Sequence, residues 1–148
     1  VRAALADGTI DIVATDHAPH ARHDKEHAFV DAAFGMLGLE TALAVVATVM
    51  VDGGPFDWAD VARVMSRTPA RIGRLAGHGT PLTAGEPASL TLYDPAPTRT
   101  FSTADLHGRS ANSPYLGREL PGEVRWTLHA GVVTVADGAL LDAPGARA

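Results

Sequence analysis

The run Thr9-Ile10-Asp11-Ile12-Val13-Ala14-Thr15 constrains the first half of this chain more than any other stretch. It is short and rich in β-branched residues, so it reads as a strand, and its apolar character suits a parallel strand buried on both faces. Asp11 interrupts that pattern. Everything around it reads as helix. Residues 1–6 look like the last turns of a helix that Asp7-Gly8 stops. From Phe34 to Val51, Leu39, Leu43, Val46 and Met50 recur at helical spacing, and Ala42, Val45 and Val49 widen the stripe. Asp57 is placed to cap a second helix carrying Trp58, Val61, Ala62 and Met65 on one face, with Pro69 just past its end. A shorter helical piece, Ala70 to Leu75, stops at Gly77.

Beyond Gly77 the character changes. Glycine, proline and threonine become frequent, and Ser89–Tyr93, Val124–Leu128 and Val132–Val135 read as short strands. Asp94-Pro95, Ala130-Gly131 and Asp137-Gly138 are the turn signals between them. The chain is therefore expected to be α/β. Residues 1–77 read as the close of a (β/α)8 TIM-like barrel, its last strand and helices, and residues 78–148 as part of a β-sandwich domain. The tail from about Asp142 is expected to fray.

The predicted strand runs out at Asp16-His17-Ala18-Pro19-His20, and a polar loop follows. In α/β barrels the catalytic groups gather at such C-terminal strand ends. The chain has no cysteine, so any metal here must be held by imidazole nitrogen and carboxylate oxygen, a donor set suited to zinc. An aspartate after a strand is also a common turn residue or helix cap, and histidines in a polar loop can simply be solvated. His17, His20, His23 and His27 mimic a helical stripe, but Pro19 fits only a first turn, and His23 and His27 stand among the charges Arg22, Asp24, Lys25 and Glu26. Those two read as surface residues.

Charge narrows the partners. The formal net charge is -5 and charges of both signs are scattered, so no basic stripe argues for nucleic acid and no polybasic tract for a membrane surface. The longest apolar run, Ala42 to Val51, is far short of the ~20 residues a bilayer span needs. Absence of cysteine fits a reducing cytoplasm. The chain opens on Val1 and directly on helix, so it is expected to be the C-terminal portion of a longer protein.

Thr15-Asp16-His17-Ala18-Pro19-His20, then Lys25, Ala33-Phe34-Gly35-Met36 and Gly38-Leu39-Glu40-Thr41, closely resembles dihydroorotases of the amidohydrolase superfamily. Further matches follow in order: Thr68-Pro69-Ala70-Arg71-Ile72, then Gly85-Glu86-Pro87-Ala88-Ser89-Leu90, where Ser89 replaces the usual aspartate, then Asn112-Ser113-Pro114-Tyr115 with Gly117 and Gly122. The resemblance implies a zinc-dependent cyclic amide hydrolase that interconverts N-carbamoyl-L-aspartate and (S)-dihydroorotate in pyrimidine biosynthesis. It implies that Asp16 is both the catalytic proton carrier and a ligand of a centre holding one or two Zn²⁺ ions. It implies that His20, Phe34 and Gly35 bind the substrate, His20 by donating to a carboxylate. His17 would orient Asp16 or pack beneath the site. The partners implied are the small-molecule substrate and either a second copy or aspartate transcarbamoylase.

One departure matters. The family's metal site begins with a His-x-His pair on its first strand, and this sequence contains none. The chain is therefore expected to hold one metal ligand and part of the substrate pocket, and to be inactive alone. Two other readings stay open: a scaffold subunit of the same fold without catalysis, and a related hydantoinase or allantoinase, from which Ala18-Pro19-His20 points away.

Overall fold

The computed structural model describes residues 1–142, so most of the tail expected to fray lies outside the described residues. Five α-helices come first: α1 (Arg2–Ala6), α2 (Arg22–Lys25), α3 (Ala42–Val46), α4 (Trp58–Ala62) and α5 (Thr68–Gly73), with π-helical turns continuing α3 and α4. Four strands follow: β1 (Leu90–Thr100), β2 (Glu119–His129), β3 (Val132–Ala136) and β4 (Ala139–Leu140).

The helical half is held by one apolar core. Leu5 from α1, Val46 and Met50 from α3 and its continuation, Phe56, and Val61 and Val64 from α4 and its continuation are buried together. Ile10 and Val13 pack against them. The expected stripe along 39–50 is right in its inner members, but Leu39 is exposed because α3 starts only at Ala42. Residues 34–41 instead run non-helical, which corrects the expected start at Phe34.

Residues 9–15 also differ from expectation. They pass along the core without a ladder, and the nearest regular pairing is a single parallel bridge between His17 and Met36. A parallel strand exists only through its neighbours, and here the Val13 N–H donates to the Val64 carbonyl of the helical layer at 3.1 Å. Ile10 and Val13 face the core only partly buried, and the ladder is missing because the described residues offer no strand beside this segment.

Asp57 caps α4 as expected. Its carboxylate accepts the Asp60 N–H at 2.9 Å while Asp60 accepts the Asp57 N–H at 3.3 Å, a reciprocal capping box. Pro69 does not end this helix. The turns over Arg63–Arg67 widen to π geometry and the chain continues directly into α5. Proline has no N–H and its ring collides with the carbonyl four residues back, and a widened turn relieves that collision. Arg74, at φ 53, closes α5 in the left-handed conformation.

The strands form one antiparallel sheet in the order β1-β2-β3-β4. Ala130-Gly131 and Asp137-Gly138 make the two tight turns, all four residues at positive φ, the twist that hairpins favour. Asp94-Pro95 is not a strand end. It lies inside β1, where the register with β2 shifts between Asp94 and Thr98 and Asp94 accepts the Ala96 N–H at 3.0 Å. Among the described residues β1 is an edge strand, which is where a proline is tolerated. Among the described residues there is one sheet, so the second layer of the expected sandwich is not among them. Trp58 of α4 meets Tyr93 of β1 with ring centroids 5.4 Å apart, joining the helices to the sheet. No helix among the described residues is long and apolar enough to cross a membrane.

Candidate functional site

Asp16 occupies the left-handed region at φ 46, uncommon for a residue with a side chain and best tolerated by Asp and Asn. The Asp16 side chain lies exposed. Non-glycine residues held in this region concentrate at functional loops.

His17, next along, is turned to structural use. Its Nδ1 accepts the Gly38 N–H at 3.1 Å and the Leu39 N–H at 3.3 Å. An imidazole nitrogen that accepts carries no proton, so the ring proton sits on Nε2. The Ala18 N–H then donates to the Met36 carbonyl at 2.9 Å. Two segments, 16–20 and 35–39, are thereby laced into one loop platform.

His20 and Gly35 meet on that platform. A Cβ added at Gly35 would stand 2.5 Å from the Ala18 Cβ and 3.6 Å from His20 Nε2, so only glycine allows this approach, at φ 99. Gly38 is equally close to the other arm, where a Cβ would lie 2.9 Å from the Thr15 carbonyl oxygen. Phe34 sits beside Gly35 in sequence, but its side chain is 88% exposed and its ring is turned to solvent. Lys25 Nζ donates to the Ala33 carbonyl at 2.7 Å and to the Gly35 carbonyl at 3.1 Å, bracing the same segment. His23 and His27 are exposed, as read from the sequence.

Asn112 reaches this platform from the connection between β1 and β2. Its Oδ1 accepts the His20 N–H at 3.1 Å, and its Nδ2 donates to the Ala18 carbonyl at 2.8 Å. Sequence reasoning attached no role to Asn112, since nothing in local periodicity links it to a loop ninety-two residues away. In the sequence Lys25 stands only as part of a motif. Its carbonyl partners could be found only once the chain was folded.

Among the described residues no three His, Asp or Glu side chains gather to hold a metal ion. Asp16 offers a hard oxygen donor of a kind zinc accepts. Nδ1 of His17 is occupied by two backbone amides and cannot be a ligand. Asp16 could thus supply one oxygen donor to a zinc ion, and the described residues gather no further donors around it.

No model of a known protein family matches the chain. Relatives do. The chain is 61% identical over 145 residues to a dihydroorotase of Leifsonia xyli, an overlap of 98% of this chain and 33% of that protein. It is 57% identical over 140 residues to a dihydroorotase of Streptomyces coelicolor, covering 95% of this chain and 33% of the relative. The chain therefore spans about a third of the length of the curated relatives it matches. Among solved structures, an L-hydantoinase (dihydropyrimidinase) from Arthrobacter aurescens superposes with a TM-score of 0.83 at 30% identity, over 94% of this chain and 32% of that one. The resemblance read from the motifs thus extends over nearly the entire sequence, and the fold is shared with hydantoinases.

Proposed function

We infer that this chain, a relative of the dihydroorotases along nearly its whole length, is the C-terminal portion of such an enzyme, a zinc-dependent cyclic amide hydrolase. The reaction is the reversible interconversion of (S)-dihydroorotate and N-carbamoyl-L-aspartate. The observation that carries this reading is the 61% identity over 145 residues. The 30% identity to an L-hydantoinase supports the broader class of cyclic amide chemistry, and the gap between the two values favours dihydroorotate over hydantoin as substrate.

Asp16 is the working carboxylate of this reading. Opening a cyclic amide requires a proton to leave the attacking water and reach the departing nitrogen, and one carboxylate beside the scissile bond can carry it both ways. The exposed side chain of Asp16, on backbone held at positive φ, is free to face a substrate. Asp16 would hold a zinc ion together with ligands from elsewhere in the enzyme, and such an ion would polarise water and the amide carbonyl. His20 donates an imidazole N–H to the substrate carboxylate. Gly35, with no side chain, brings its backbone close to that ring, and in this reading Phe34 adds the adjoining backbone. Dihydroorotate carries a carboxylate that hydantoin and dihydrouracil lack, so His20 is the discriminating contact.

The test is a substrate panel on the full-length protein carrying this chain, loaded with zinc: dihydroorotate, dihydrouracil, hydantoin and allantoin. Turnover is expected with dihydroorotate and at least about tenfold weaker with the ring compounds lacking a carboxylate. Preference for hydantoin or dihydrouracil would move the assignment to the hydantoinase side, and no turnover of any of the four would favour a scaffold role.

A further inference from the structure

We propose that Asn112 is the positioning residue that sets His20 and Gly35 for substrate, an inference that rests on reading those two as substrate-binding groups. Asn112 lies half-buried in the connection between β1 and β2, on the sheet side of the molecule. Every polar atom of its side chain is turned to the platform. Oδ1 accepts the His20 N–H at 3.1 Å; Nδ2 donates to the Ala18 carbonyl at 2.8 Å and to the Gly35 carbonyl at 3.4 Å. Its own backbone carbonyl accepts the Leu37 N–H at 3.1 Å.

These bonds differ from an ordinary loop clamp in where they fall. They grip both arms of the platform at once, residues 18–20 and 35–37, at the two points where His20 and Gly35 approach each other. They also need both ends of a carboxamide, an acceptor toward an N–H and a donor toward two carbonyls. A carboxylate of the same shape would keep the acceptor and aim its second oxygen at the Ala18 carbonyl oxygen. Lys25 holds the Gly35 carbonyl from the other side, so without Asn112 that carbonyl keeps one donor and the His20 backbone loses its long-range anchor. The connection between β1 and β2 would thus set substrate affinity through Asn112 while Asp16 remains untouched.

The experiment compares Asn112→Asp, Asn112→Ala and His20→Ala in the full-length zinc-loaded protein, with dihydroorotate as substrate. Misplacement of a binding group by about 1 Å costs on the order of ten- to a hundredfold, so both Asn112 variants are expected to raise KM about tenfold or more with kcat changed less than about threefold. Asn112→Asp is expected to be the worse of the two. Hydrogen exchange at the His20 amide is expected to accelerate in Asn112→Ala. Unchanged KM in the Asn112 variants while His20→Ala raises it, or unchanged His20 amide protection, overturns the role. Loss of kcat at unchanged KM also overturns it, as does failure of both variants to fold, which would make Asn112 a residue of the fold alone. If His20→Ala leaves KM unchanged, the reading of His20 as a substrate group fails instead, and the amide exchange still reports on Asn112 independently.

Discussion

Nδ1 of His17 accepts the Gly38 N–H at 3.1 Å, a bond across twenty-one residues that joins the two arms of the candidate site. Its ring is thereby committed to holding backbone, and the aspartate before it is left as the free acidic group. Replacing His17 by Ala leaves the N–H of the buried Gly38 without its acceptor and is expected to cost about 1–2 kcal/mol of stability. Denaturant unfolding of the chain measures this. A loss near zero would mean the bond contributes nothing. The ¹⁵N spectrum of the wild-type ring should show Nδ1 as the unprotonated nitrogen, and a protonated Nδ1 would contradict the arrangement.

Gly35→Ala forces a methyl to within 2.5 Å of the Ala18 Cβ at a backbone angle that alanine resists. Overpacking and strain together are expected to destabilise by roughly 1–3 kcal/mol. In the full-length protein the same substitution should raise KM for dihydroorotate, because the two arms must part beside His20. A variant with wild-type stability and KM would show that the close approach is dispensable.

Tyr93 gives a pH dependence with a definite sign. Burial, and secondarily the charge of Asp52, raise its phenol above the ordinary value of 10.0, and its hydroxyl donates to the Pro121 carbonyl at 2.7 Å. The folded state thus prefers the protonated phenol. Its contribution is fully present below the unfolded pKa and is lost as pH rises above about 10 through the folded value. Unfolding of the wild type and of Tyr93→Phe should therefore differ in slope above pH ~10, the wild type falling faster. Parallel curves there would exclude a shifted Tyr93.

The sequence revealed what is local. The capping pair Asp57 and Asp60, the turns at Ala130-Gly131 and Asp137-Gly138, and the apolar positions Val46, Met50 and Val61 each follow from residue type and short spacing. Pairing was not legible. Thr9–Thr15 has strand composition but no neighbour among the described residues, and a ladder is a property of two segments. Pro69 looked like a stop because the rule assumes α geometry, and the widened turn before it removes the clash. The site divides the same way. Asp16 and His20 were visible as a motif, whereas the anchoring of His20 by Asn112 depends on contacts ninety-two residues apart.

In the proposed reaction Asp16 is the proton carrier. That role is tested most directly by Asp16→Asn in the full-length zinc-loaded protein, assayed for dihydroorotate hydrolysis with metal content measured alongside. Asparagine keeps the shape and removes the proton-carrying group, so kcat is expected to fall by about 10²–10⁴-fold. Turnover within a fewfold of wild type, at normal metal content, would contradict the assignment.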